Sequence, residues 1–181
     1  MSRLIRRLLY LAKSDQGRNP VEFKPISLLE VTQEVVREAG VIYKQREFLI
    51  DKAEEFNISG DYNLIKQLLW IYTENSIKYT KNGGRIEFSV LIDGDYGAVA
   101  VKDDGTGIEQ EKLPYIFDRF YRADESRNSE IPGNGLGLSI AKSIVELHGA
   151  KVLVESTVSE GTVFETRFLL RDETEGMEHE I

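Results

Sequence analysis

The sequence predicts a two-layer α/β sandwich, in which helices cover one face of a mixed, mostly antiparallel sheet. Three observations carry that expectation. Strand-like segments come as neighbouring pairs joined by short turns, which excludes a regular β-α-β alternation. Two long segments, opening at Ser27 and near Asp61, repeat apolar residues at helical spacing. Finally, 41% hydrophobic residues over 181 positions supply one core of ordinary domain size with a small appendage.

In chain order, Leu4, Ile5, Leu8, Leu9, Leu11 and Ala12 form an apolar stripe among Arg3, Arg6, Arg7 and Lys13. Residues 1–15 therefore read as an amphipathic helix whose partner is expected outside this chain. Residues 16–25, with Gly17, Asn19 and Pro20 and little apolar content, read as a linker. Ser27 with Glu30 three residues on is a capping-box pattern, and Leu28, Leu29, Val31, Val35, Val36 and Ala39 give the helix a buried face ending near Gly40. Short strands are predicted at Phe48–Asp51 and Phe56–Ser59, then a strong helix from about Asp61 to Tyr79, stopped by Gly83-Gly84. Alternation over Arg85–Ile92 and Gly97–Val101, around Asp93-Gly94-Asp95, predicts a hairpin. A short helix near Glu109–Phe117, a long polar loop, a helix from about Leu136 and strands at Lys151–Ser156 and Thr162–Leu169 complete a domain over residues 26–170. Residues 171–181 read as an acidic, mobile tail.

Composition narrows the function classes. A net charge of −8 disfavours nucleic acid as a partner, and means that a polyphosphate must be held by local groups, with a divalent cation to assist. There are no cysteines for disulfides or thiolate metal sites, which suits a cytoplasmic setting. No apolar stretch approaches the roughly 20 residues that cross a bilayer, and residues 1–13 are too basic and too periodic for a signal peptide.

Three segments carry chemistry. Gly133-Asn134-Gly135-Leu136-Gly137-Leu138 runs into an apolar-periodic helix, and freed backbone amides at a helix N-terminus suit an anion. No Lys-Ser or Lys-Thr pair follows, so it is not a P-loop. Leu138 stands where a dinucleotide turn needs its third glycine. Taken alone, the run is equally a glycine-rich helix cap. Glu74, Asn75, Lys78 and Tyr79 make the end of an apolar helix polar: an amide oxygen can ligate a hard cation, an ammonium can neutralise phosphate, and a carboxylate can accept a proton. An exposed i, i+4 ion pair between Glu74 and Lys78 is the plainer reading. Asp103-Asp104-Gly105-Thr106-Gly107-Ile108 follows a strand, where a carboxylate can accept from an amino group and glycines let a ring approach; an acidic turn explains it too.

Together with Phe117-x-Arg119-Phe120-Tyr121-Arg122 and Glu160-Gly161-Thr162-Val163-Phe164, these boxes resemble, in order and spacing, the ATP-binding catalytic domain of sensor histidine kinases. Five boxes in register over about 90 residues are far more specific than any one of them. The resemblance extends through the N-terminal helix and linker. It implies the Bergerat ATP-binding fold, ATP and Mg²⁺ as cofactors, and transfer of the γ-phosphoryl group to a histidine on a dimerisation domain. In that family the counterpart of Asn75 ligates Mg²⁺, that of Glu74 serves as general base and that of Lys78 contacts phosphate. Tyr79 would pack on adenine, Asp103 would read its amino group, and Gly105, Gly107 and Ile108 would border the base. The stretch between Asp118 and Asn134 would be an ATP lid, with Phe120 anchoring its start and Arg122 reaching the γ-phosphate. Gly133, Gly135 and Gly137 would let the lid fold, Leu136 and Leu138 would hold the following helix, and Thr162 would lie near the base pocket.

The resemblance further implies a homodimeric parent kinase with a response regulator as partner, and a cytoplasmic domain belonging to a membrane-anchored sensor. Departures from the family pattern are Ile71, where a second asparagine is common, Pro132 at the first lid glycine and Ser159 at a glycine of the last box. No H-E-x-x-T-P-like phosphoacceptor motif is present. His148 is expected to cap or pack a helix end, and His179 lies in the acidic tail. Residues 1–15 then match the end of the second dimerisation-hairpin helix. A nucleotide-binding signalling module without transfer, and an ATPase of the gyrase, Hsp90 or MutL type, are the competing functions.

Overall fold

The computed structural model describes residues 21–123 and 134–170. The expected N-terminal helix, the acidic tail, His179, Pro132 and Gly133 lie outside them. The elements are β1 (Lys24–Ser27), α1 (Leu28–Ile42), β2 (Glu47–Ala53), β3 (Asn57–Gly60), α2 (Tyr62–Tyr79), β4 (Arg85–Asp93), β5 (Tyr96–Asp103), α3 (Gly137–Leu147), β6 (Lys151–Thr157) and β7 (Gly161–Leu169). A five-stranded sheet runs β2-β4-β5-β7-β6; β2 and β4 pair parallel and the other neighbours antiparallel. β1 and β3 form a separate antiparallel ribbon.

Strand periodicity explains why the helices share one face. Ile86, Phe88 and Val90 of β4, Val99 and Val101 of β5 and Phe164 and Phe168 of β7 are buried against Val31 and Val35 of α1, Leu68, Leu69 and Tyr72 of α2, and Ile140 and Ile144 of α3. The residues between them carry charge: Glu87 pairs with Arg85 at 3.2 Å and with Lys102 at 3.7 Å. Tyr72 is fully buried, stacks on Phe164 at 5.0 Å, and places its hydroxyl 3.0 Å from Thr166 Oγ1, so burial raises its pKa.

Helix ends follow the sequence closely. Ser27 caps α1 by accepting from the Glu30 N–H, and Asp61 caps α2 by accepting from the Asn63 and Leu64 N–H groups. α1 continues two residues beyond Gly40, where a Cβ would meet nothing. His148 ends α3: its Nδ1–H donates to Ile144 O at 2.7 Å and its Nε2 accepts from the Asp61 N–H at 3.1 Å, so the capping role expected for it also ties α3 to the start of α2.

Two elements differ from expectation. The helix expected near Glu109–Phe117 is a three-residue 3₁₀ turn, Leu113–Tyr115, because the approach to it is tied to β6. The Ile108 N–H donates to Ser156 Oγ at 2.8 Å, and Gln110 Nε2 donates to Ser156 O at 2.6 Å. β1 begins at Lys24, inside the stretch read as linker. It is four residues long and contains Pro25, too short and too proline-marked to read as a strand, and its register sets Ile26 opposite Ile58.

Candidate nucleotide-binding site

The end of α2 and the end of β5 are built as one unit. Asp103 is 4% exposed; its Oδ1 accepts from the Gly105 N–H and its Oδ2 from Ser76 Oγ, both at 2.9 Å, and the Thr162 N–H also donates to the carboxylate. Burial is the largest influence on this carboxyl and pushes its pKa above the ordinary value. The Asp104 charge adds to that, and the three donors oppose it. Ser76 follows Asn75 on α2 and faces the strand, which is why the helix reaches this carboxylate.

Glycines shape the walls. A Cβ at Gly105 would come within 2.7 Å of both Asp103 Oδ1 and Tyr79 O. Gly107 has φ +68 and Gly161 has φ +115; a side chain at the first would run into Thr157 O, and at the second into Asp103 O. The Thr106 N–H donates to Tyr79 O at 3.2 Å, which joins this loop to the last turn of α2. Below it, Ser156 Oγ accepts from the Ile108 N–H, donates to Gly161 O at 2.9 Å and lies 2.9 Å from Thr162 Oγ1. One hydroxyl thereby fixes Ile108, Gly161 and Thr162.

On α2, Asn75 Nδ2 donates to Ile71 O at 3.0 Å, so its amide oxygen is the end left to meet a cation. Lys78 Nζ lies 4.9 Å from the centre of the Tyr79 ring, next to that oxygen's turn of helix. Glu74 is half-buried on the same turns, and Ile71 is 2% exposed, committed to the core rather than to a ligand.

Phe120 and Gly135, on either side of residues 124–133, are joined through the main chain. The Phe120 N–H donates to Gly135 O at 2.9 Å. Gly135 has φ +63, and a Cβ there would lie 2.6 Å from the Phe120 carbonyl carbon. Phe120 itself has φ 66 and a ring that is 69% exposed, so its backbone, not its side chain, meets Gly135. Arg122 is half-buried beside this junction. Leu136 is buried, Leu138 packs against the core, and Gly137 leaves 3.6 Å between a would-be Cβ and Ile71 Cγ2. Among the described residues no side chain caps the N-terminus of α3 at Leu136, and the first N–H groups of a helix are able to meet an anion.

A buried carboxylate, an amide oxygen, an ammonium and a helix N-terminus are groups of the kinds that can meet an amino group, a hard cation and an anion. Sequence reading missed Ser76 and Ser156, because a serine inside an apolar helix or strand has no motif of its own.

Residues 60–172 match the family described as histidine kinase-, DNA gyrase B- and HSP90-like ATPase. The chain is 39% identical over 168 residues to the sensor histidine kinase YkoH of Bacillus subtilis, covering 93% of this chain and 36% of that protein. It is 30% identical over 169 residues to the signal transduction histidine-protein kinase ArlS of Staphylococcus haemolyticus, covering 93% and 37%. The chain thus spans little more than a third of these relatives. Among solved structures, the catalytic domain of histidine kinase ThkA superposes with TM-score 0.70 at 28% identity over 82% of this chain and 95% of that one. The mycobacterial sensor histidine kinase MprB superposes with TM-score 0.72 over 83% and 99%; at 24% identity it supports the fold alone. The chain belongs to the histidine kinase-, DNA gyrase B- and HSP90-like ATPase family, and within it is close to the ATP-binding catalytic domains of sensor histidine kinases.

Proposed function

We propose that this chain binds Mg²⁺-ATP and transfers the γ-phosphoryl group to a histidine on a helical-hairpin dimerisation domain. The observation that carries the reading is the joined end of α2 and β5, where Asn75 turns its amide oxygen away from the bond to Ile71 O while Asp103 is held by three donors. Asp103 would accept from the adenine amino group, with Gly105, Gly107, Ile108, Thr162 and Tyr79 bordering the base. Asn75 would hold Mg²⁺, which when bound neutralises phosphate charge. Lys78 and Arg122 would meet the phosphates, and Glu74 would take the proton of the attacking imidazole. Phosphoryl transfer asks chiefly for such positioning and charge neutralisation. Gly133, Gly135 and Gly137 would let the lid between Asp118 and Asn134 close and exclude water.

Residues 1–15 would be the end of the second hairpin helix, 16–25 a linker and 26–170 the catalytic domain. The parent protein would be a homodimeric, membrane-anchored sensor that passes phosphate to a response regulator, with this domain in the cytoplasm. The experiment is to supply that hairpin domain in trans with labelled ATP and Mg²⁺. Acid-labile phosphate on the hairpin, lost with Glu74→Gln, supports the reading; none with wild type contradicts it.

Burial of Ile71 favours a second reading, a nucleotide-binding signalling module without transfer. Nucleotide affinity without phosphohistidine would select it.

A further inference from the structure

The end of α2 is held by a residue that no motif includes. Arg46 lies between α1 and β2, and its guanidinium reaches the last turn of the helix: one terminal nitrogen donates to Thr80 O at 2.6 Å and Ile77 O at 3.3 Å, the other to Asn82 Oδ1 at 2.6 Å and Gln45 O at 3.3 Å. The main chain reinforces the junction, with the Gly83 N–H donating to Gln45 O at 2.8 Å and the Glu47 N–H to Gly84 O at 3.0 Å. A helix leaves its final carbonyls without partners, and a cation there also complements the helix dipole. Here Arg46 takes Ile77 O and Thr80 O, while the Thr106 N–H takes Tyr79 O. The carbonyls on either side of Lys78 and Tyr79 are thereby fixed. Among the described residues, Arg46 Nε is buried without a partner, so the side chain is placed to serve these carbonyls at a cost to its own hydrogen bonding.

We propose that Arg46 is a positioning residue for the nucleotide site, fixing Lys78 and Tyr79 through the last turn of α2 and, through Tyr79 O, the loop that carries Gly105. This rests on the nucleotide reading above. A lysine cannot replace it, because a single ammonium does not span the forked set of acceptors.

The test titrates the full chain with a non-hydrolysable ATP analogue and Mg²⁺, comparing wild type, Arg46→Lys, Arg46→Met and Lys66→Met. Lys66 ties α2 to α1 through Glu34 at 2.7 Å and Glu38 at 2.8 Å, so its variant removes a cationic tie from the same helix away from Lys78. Both Arg46 variants are expected to bind about tenfold more weakly, with faster amide exchange at Thr80 and Thr106. Lys66→Met is expected to melt earlier with unchanged affinity. If Arg46→Met does not fold, Arg46→Lys carries the result. Arg46 variants that bind like wild type, or an equal loss in Lys66→Met, overturn the role of Arg46 alone. A wild type that binds no analogue overturns the nucleotide reading and this role together.

Discussion

Ser76 Oγ donates to Asp103 Oδ2 across 2.9 Å, and both residues are buried. The helix that carries Asn75 and the strand that ends in Asp103 are therefore joined by a side-chain bond as well as by apolar packing.

Removing that bond exposes its worth. Ser76→Ala strands one oxygen of a buried carboxylate, so about 1–3 kcal/mol of stability is expected to be lost. Denaturant unfolding measures it, and a midpoint equal to wild type contradicts the account.

The pH dependence of nucleotide affinity follows from Asp103. Its pKa is raised in the folded protein, chiefly by burial, and only the ionised carboxylate presents acceptors on both oxygens. Affinity should therefore weaken as pH falls, at a pH above the ordinary carboxylate value of 3.8. Calorimetric titration across pH checks this, and affinity that stays flat down to that value contradicts it. The sign for stability is opposite to that of an ion-paired carboxylate. The folded state holds the proton more tightly than the unfolded chain, so this group's ionisation costs stability above its folded pKa and nothing below its unfolded pKa.

His148 gives a second pH signature. Its pKa is lowered by burial, and accepting from the Asp61 N–H requires neutral Nε2. Its contribution is complete above the unfolded value of 6.5 and is lost as pH falls through the lower folded pKa. Melting temperature should drop across that window in wild type and change less in His148→Gln; parallel curves for the two proteins would count against the latch between α3 and α2.

Two substitutions at left-handed positions should act in opposite directions. Ser159 has φ 69, in the left-handed region that favours glycine, so Ser159→Gly should relieve strain and stabilise by about 0.5 kcal/mol. Gly135→Ala places a methyl 2.6 Å from the Phe120 carbonyl carbon at φ +63 and should destabilise by more than about 1 kcal/mol. Melting temperatures of the two variants on the same side of wild type would refute the backbone argument.

Much of this fold was legible because its signals are local. The Ser27 and Asp61 caps, the alternation in β4 and β5 around Gly94 and the apolar stripe of α2 each declare an element within a short window. What escaped depends on distant partners. β1 exists because Ile26 meets β3, and the stretch 109–117 stays largely unwound because Ser156, far along the chain, holds Ile108 and Gln110. Within the site, charged and glycine-rich boxes stood out, while Ser76, Ser156 and Arg46 gain meaning only from what they touch. Phe120 shows the converse: its box was legible, but a positive φ, invisible in the sequence, turns its ring out and leaves the contact to the backbone.

Asn75 and Asp103 are proposed to hold Mg²⁺-ATP together. The most direct test is a nucleotide titration with and without Mg²⁺ on wild type and Asn75→Ala. Mg²⁺ is expected to tighten binding to wild type by about tenfold or more and to have little effect on the variant, whereas tightening that survives in Asn75→Ala would rule out Asn75 as the cation ligand.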